Sequence, residues 1–316
     1  MSAPLSSHNY LTGNFNSNKL TEENYKDRTI VIKMGGDLLT HDAVYTIATQ
    51  VAELCKLGAK PIIVHGGALY IDELLEERNI PVEQDYDSGV RRTTREVIEI
   101  ADEILKIKNQ EIVTIFKEVF KEMLGDNSKI LGIDGYENNL ILAKKAATHF
   151  GGRATSINKE YMNELVNTQG LIPIINPICM NENPDSDEFR INPNGDDVAM
   201  RIFEQMNSKN DNPILILCSD TCVWDKNKKP LSNISEKEID DFIKDEVIKG
   251  GMIIKVKDAK EAALFKPNGK VFILNGSKEN AILNAISEKN GSATLICSHK
   301  EEANNNIYLP NIPISA

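Results

Sequence analysis

The pattern that most limits what this chain can fold into is a unit that occurs twice in succession. Thr29-Ile30-Val31-Ile32-Lys33 is a short β-branched run ending at Gly35-Gly36, and Val44, Ile47, Val51, Leu54 and Cys55 follow at helical spacing. Pro61-Ile62-Ile63-Val64-His65 then ends at Gly66-Gly67, with a helix through Leu74 and Leu75. Strand, double glycine and helix, repeated, is the signature of parallel βαβ units. Four more apolar runs fit the plan: Ile130-Leu131-Gly132-Ile133, Ile172-Pro173-Ile174-Ile175, Ile214-Leu215-Ile216-Leu217 and Val271-Phe272-Ile273-Leu274. Their continuous rather than alternating apolar character suits strands covered on both faces. Between them helices are expected over 94–120, 159–168, 196–205, 256–264 and 278–287. A loop rich in Asn, Asp and Pro over 181–187 reads as a turn between hairpin strands, and a lobe boundary falls near 192–196.

With 316 residues, 41% of them hydrophobic, the chain can bury a core as one large domain or two lobes. Its net charge of -11, with no dense Lys/Arg stripe, argues against a nucleic-acid partner. The five cysteines (Cys55, Cys179, Cys218, Cys222 and Cys297) lack zinc-like spacing and read as free thiols in a reducing cytoplasm. No apolar run approaches the roughly 20 residues needed to cross a bilayer. Residues 1–28 are polar, lack a signal-peptide core and read as a flexible extension, with a short helix capped near Thr21.

Glycines at a strand's C-terminal end let backbone N–H groups approach an anion at the next helix N-terminus. Two such turns in succession, one preceded by Lys33, point to phosphate. Lys33 alone would read as a surface lysine with a buried stem. Gly250-Gly251-Met252-Ile253-Ile254-Lys255 repeats the idea, with a double glycine opening a helical segment and a lysine about one turn in. By itself Lys255 would read as an ordinary exposed lysine. Neither Gly-x-x-x-x-Gly-Lys-Ser/Thr nor Gly-x-Gly-x-x-Gly occurs, which argues against a P-loop and a dinucleotide site.

Taken in order, these motifs resemble the amino-acid kinase superfamily, and within it the acetylglutamate kinase branch. Lys33-Met34-Gly35-Gly36 is similar to the family's opening loop and Val64-His65-Gly66-Gly67 to its second. Gly89-Val90-Arg91-Arg92-Thr93 resembles the substrate-arginine motif, and Asn192-Pro193-Asn194-Gly195-Asp196 the junction motif. Ser219-Asp220-Thr221 is similar to the nucleotide-side turn and Gly250 to Lys255 to Gly-Gly-Met-x-x-Lys. The resemblance implies a three-layer sandwich with a central, mostly parallel sheet. A lobe over 29–195 would bind the acyl amino acid and one over 196–316 would bind ATP with Mg2+. It implies that Lys33 and Lys255 stabilise charge on the transferring phosphoryl group while Asp196 holds both ammonium groups. Gly35, Gly36, Gly66 and Gly67 would line the substrate side, Arg91 would pair with a substrate carboxylate and Asn192 would hydrogen-bond it. Ser219, Asp220, Thr221, Gly250, Gly251 and Met252 would line the nucleotide side. The implied reaction phosphorylates the side-chain carboxylate of N-acetyl-L-glutamate in the cytoplasm. A carboxylate acceptor is already ionised at neutral pH and needs no general base. Asp196 also reads as a helix N-cap ahead of Val198.

The chain departs from the family pattern at several points. Ala68 stands where a third glycine is usual, Gly195 where Ala is usual, and Asp197 where a small or neutral residue is common. Pro193 stiffens the junction, Asn275-Gly276 replaces Asp-Gly and Ala293-Thr294 replaces Gly-Thr. Most of these lie on the substrate side, so another acyl group or an aminoadipate is an alternative acceptor. A silent regulatory paralogue would have no need of Lys33, Asp196 and Lys255 together. The resemblance implies a homodimer, with an extension long enough to link dimers into a hexamer. Ala285 stands where the inhibitor-binding glutamate of arginine-sensitive relatives falls, which argues against feedback inhibition.

Overall fold

A computed structural model describes residues 19–81, 93–147, 149–183, 189–206, 212–288 and 293–297. The strands are β1 (Thr29–Met34), β2 (Lys60–His65), β3 (Ile130–Asp134), β4 (Ile141–Lys145), β5 (Gly151–Ile157) and β6 (Ile172–Asn176). After them come β7 (Cys179–Asn181), β8 (Arg190–Pro193), β9 (Ile214–Ser219), β10 (Asn233–Ser235), β11 (Lys270–Asn275) and β12 (Ala293–Cys297). The helices are α1 (Glu22–Tyr25), α2 (His41–Lys56), α3 (Ala68–Glu77), α4 (Arg95–Leu124) and α5 (Lys159–Asn163), then α6 (Gly195–Gln205), α7 (Glu236–Lys244), α8 (Gly251–Phe265) and α9 (Ala281–Ile286). The six apolar runs of the sequence are β1, β2, β3, β6, β9 and β11.

Among the described residues the main sheet has eight strands in the order β10-β12-β11-β9-β1-β2-β6-β3. From β11 to β3 every pairing is parallel, and only the β11–β12 pairing is antiparallel. The C-terminal ends of β1, β2, β9 and β11 therefore open on one rim. Side chains alternate across the sheet. Ile30, Ile32 and Met34 of β1 pack with α2, α4 and α9 on one face, while Val31 packs with α6 and α8 on the other. The expected three-layer arrangement is present, and Lys33, in phase with Val31, falls on the α6 face. No helix among the described residues is long and apolar enough to cross a membrane. All five cysteines are free, and burial pushes the thiols of Cys55 and Cys218 up to about 12.

A second sheet closes on itself as a small barrel, β4-β5-β8-β7. Its antiparallel β7–β8 pair, with Cys179 opposite Ile191, brackets the Asn- and Asp-rich turn expected between hairpin strands. Helix α6 docks on β5 through side chains at four-residue spacing. Asp197 accepts from the Ala154 N–H (2.6 Å), Arg201 donates to the Ala154 carbonyl (3.1 Å), and Gln205 accepts from the Ile157 N–H (3.1 Å) while donating to the Thr155 carbonyl (3.2 Å). Four helical residues advance about 6 Å, which carries the contacts from the Ala154 peptide on to Thr155 and Ile157 along the strand.

β5 starts with two glycines because its neighbours come close. A Cβ on Gly152 would lie 2.2 Å from the Lys144 carbonyl oxygen and 3.0 Å from the Ile191 side chain. Since a backbone carbonyl cannot step aside, Gly152→Ala is expected to cost about 2 kcal/mol of stability. Chemical denaturation of the variant against the parent measures it.

Candidate active site

Lys33, Asp196 and Lys255 come from three elements and meet in one place. Lys33 ends β1, Asp196 sits in the first turn of α6, and Lys255 lies one turn into α8. The Lys33 ammonium is 2.8 Å from Asp196 Oδ1, and the Lys255 ammonium is 3.0 Å from Oδ2 and 3.2 Å from Oδ1. All three are buried, at 7%, 4% and 8% exposure. Burial raises the Asp196 carboxyl, but the two adjacent ammonium groups outweigh it and hold the acid well below the usual carboxylate range. Burial lowers Lys33 against the opposing pull of Asp196. Two cations share one anion, which leaves a net positive charge turned to the rim.

The N-cap of α6 is Asn194, whose side chain accepts from the Asp196 N–H at 3.1 Å. The expected capping role of Asp196 is therefore corrected: Asn194 takes the cap and leaves both Asp196 oxygens to the lysines. Gly195 is tied to the same place, because a Cβ there would lie 3.3 Å from Lys33 Cε. Gly at this position thus gives the Lys33 stem room.

The glycine loops pack against each other. The Gly35 N–H donates to the Cys218 carbonyl (3.1 Å) and the Gly66 N–H to the Met34 carbonyl (2.8 Å). A Cβ on Gly36 would sit 3.1 Å from the Ala68 nitrogen, and one on Gly67 2.4 Å from Leu105 Cδ2. Ala68 opens α3 without a positive φ, so this departure adds no backbone strain. Behind the loop, His65 is fully buried. Its Nδ1 is 2.8 Å from the Gly66 carbonyl, which only accepts, so the proton sits there. Nε2 then accepts from Asn109, 3.2 Å away. Burial pushes this imidazole down to about 4, which keeps it neutral as a brace for the loop.

On the other side of the triad a cavity of about 630 Å³ is lined by Asp220, Thr221, Met252, Val223, Trp224 and Ile248, with Lys249, Asn275 and Lys278 at its margin. Ser219 ends β9 one residue before Asp220, and Gly250, with φ of 57°, makes the entry into α8 that glycine accepts readily; neither these two nor Gly251 is among the residues lining the cavity. Asn275 donates to the Asp220 carbonyl (2.5 Å) and so links the ends of β9 and β11. Trp224, Lys249 and Lys278 escape sequence reasoning. Lys249 directly precedes the double glycine and Trp224 is the chain's only tryptophan, which are the signals that could have found them. Asn192 lies on β8, paired in register with Gly151. Arg91 lies outside the described residues.

A model described as the amino acid kinase family matches residues 28–275. The chain belongs to that family. Among its relatives is the acetylglutamate kinase of Pelagibacter ubique (strain HTCC1062), 33% identical over 279 residues, 87% of this chain and 90% of that protein. The acetylglutamate kinase of Nautilia profundicola is 32% identical, over 85% of this chain and 91% of the relative. Solved structures share the fold. N-acetylglutamate synthase from Neisseria gonorrhoeae aligns with a TM-score of 0.72 at 17% identity, covering 90% of this chain and 62% of that one. Carbamate kinase from Giardia lamblia bound to AMP-PNP aligns at 0.62 and 16% identity, over 86% and 99%.

A second charged cluster lies next to the first in this family member. Asp197 and Glu204 of α6 and Asp258 of α8 are buried, with Arg153 of β5, Arg201 and Glu261 around them. Burial pushes Asp258 up to about 7, and neighbouring Asp197, Asp196 and Glu261 add to this against Arg153. Between about pH 4 and 7 folded chains therefore hold a proton at Asp258 that unfolded chains have released, and the stability this gives, fully present below about pH 4, is lost progressively as pH rises to about 7. Asp258→Asn is expected to raise the melting temperature at pH 8 and to raise it less, by about half as much, at pH 5.5, as scanning calorimetry at both values will report.

Proposed function

We propose that this chain transfers the γ-phosphoryl group of ATP to the side-chain carboxylate of N-acetyl-L-glutamate, the activity for which its relatives are named. The observation that carries this reading is the buried Lys33–Asp196–Lys255 array between the glycine loops and a nucleotide-sized cavity. Residues 29–195 take the acyl amino acid and residues 196–316 take ATP. Trp224, Val223, Ile248 and Met252 offer apolar surface for the base, and Lys249 and Lys278 offer charge for the phosphates.

In this reading the acceptor carboxylate attacks the γ-phosphorus as the bond to the bridging oxygen of ADP breaks. Lys33 and Lys255 meet the charge that spreads over the equatorial oxygens, and Asp196 holds both so that no reorganisation is needed. The N–H groups of Gly35 and Gly66 are taken up inside the fold, so Gly36 and Gly67 are the glycines that face the acceptor. Asn192 and Arg91 complete its site. Among the described residues Asp220 is the one carboxylate lining the cavity, which fits a Mg2+ carried by the ATP phosphates rather than held in a protein cage. When bound, that ion would neutralise phosphate charge. The same reading carries a cytoplasmic location and a homodimer, with a hexamer built through the N-terminal extension as the second assembly.

With Mg-ATP and hydroxylamine, N-acetyl-L-glutamate should yield the hydroxamate of a trapped acyl phosphate; a panel of other N-acyl glutamates and aminoadipates tests the alternative acceptors. Lys33→Ala and Lys255→Ala should each lower kcat by about 10²–10³-fold. No hydroxamate from any member would overturn the reading. Because Trp224 is the only tryptophan, its emission should change saturably as ATP is added. A flat titration, with ATP binding shown by calorimetry, would remove Trp224 from the base site.

A further inference from the structure

The second charged cluster lies where it can act on the first. Arg153 projects from β5 with its three guanidinium nitrogens turned to three carboxylates. Nη2 donates a hydrogen bond to Glu261 Oε2 at 3.0 Å, while Nε lies 3.2 Å from Asp197 Oδ1 and Nη1 3.6 Å from Asp258 Oδ1, both at ion-pair distance. A planar fork of this kind can hold several carboxylates at once, which a lysine cannot.

The gripped residues are direct neighbours of the triad. Asp197 follows Asp196 on α6. Asp258 follows Lys255 by three residues on α8, about one turn or 4.5 Å along the helix. Asp197 Oδ2 accepts from the Ala154 N–H at 2.6 Å, on the strand that carries Arg153, while its buried Oδ1 has only the ion pair with Arg153 and no hydrogen bond among the described residues. Asp258 Oδ2 is buried with no hydrogen-bond partner among the described residues. Without Arg153, α6 and α8 would keep their apolar contact but lose the cation that ties Asp197 and the acids of α8 to β5.

We propose that Arg153 is a positioning residue: by gripping α6 and α8 from β5 it sets the spacing of the helices that carry Asp196 and Lys255, and so the placement of the Lys255 ammonium at the reacting phosphoryl group. The inference rests on the kinase reading above. Arg153 touches no reacting atom in it. Its loss therefore acts on kcat and leaves ground-state binding of either substrate in place.

The test uses the full chain and three variants, Arg153→Met, Arg153→Lys and the double variant Arg153→Met/Asp258→Asn. Arg153→Met should lower kcat about tenfold with both KM values within about twofold of the parent, and Arg153→Lys should lose about threefold. The double variant removes a repelling acid, so it should regain the parent's melting temperature yet keep the kcat loss. Hydrogen exchange over 251–258 should be faster in Arg153→Met and in the double variant. Recovery of kcat together with melting temperature would reduce Arg153 to charge balance and overturn the proposal. So would a kcat within about twofold of the parent in Arg153→Met, or unchanged exchange over 251–258. If the parent yields no hydroxamate, the kinase reading fails, and the exchange experiment, which needs no turnover, still decides whether Arg153 fixes α8.

Discussion

Two ammonium groups and one carboxylate, all withdrawn from water, set the terms for the rest of this molecule. Such an arrangement persists only when each charge has its partner at hydrogen-bond distance, because an unpaired buried charge costs several kcal/mol. Asp196 meets that demand for both lysines, and the surplus positive charge is answered when an anion arrives. The surrounding structure serves this geometry. Period-two alternation turns Lys33 to the α6 face, Asn194 frees the Asp196 carboxylate by taking the cap, and Gly195 leaves space for the Lys33 stem. Gly250, at a positive φ, turns the chain into α8 one turn ahead of Lys255.

Much of this was legible in the sequence. Continuous apolar runs ending in glycine read as buried parallel strands because water touches neither face of them. The first turns of α6 and α8 were visible as motifs. The closure of the small barrel was not, since β4 (Ile-Leu-Ala-Lys-Lys) and β5 (Gly-Gly-Arg-Ala-Thr-Ser-Ile) have mixed polarity and each also pairs with a strand farther along the chain, β7 or β8. β12, antiparallel in a parallel sheet, is likewise set by tertiary pairing and not by local pattern.

The site was legible where chemistry sits in a contiguous motif and illegible where it is assembled from scattered residues. Lys33 and Lys255 look like surface lysines until the fold buries them beside Asp196. Trp224, Lys249 and Lys278 line one cavity from three separate loops. Arg153 and Asp258 look like solvated charges, and only the packing of β5 against α6 and α8 turns them into a network. The departures from the family pattern also change meaning in three dimensions: Ala68 is an unstrained helix start, and Asp197 is a strap between helix and strand.

That strap has an evolutionary consequence. Asp197, Arg201 and Gln205 bind the main chain of β5, whose amides and carbonyls are present whatever side chains the strand carries. Mutations along most of β5 therefore leave the seating of α6 untouched. The barrel can drift in sequence while the helix that bears Asp196 keeps its place.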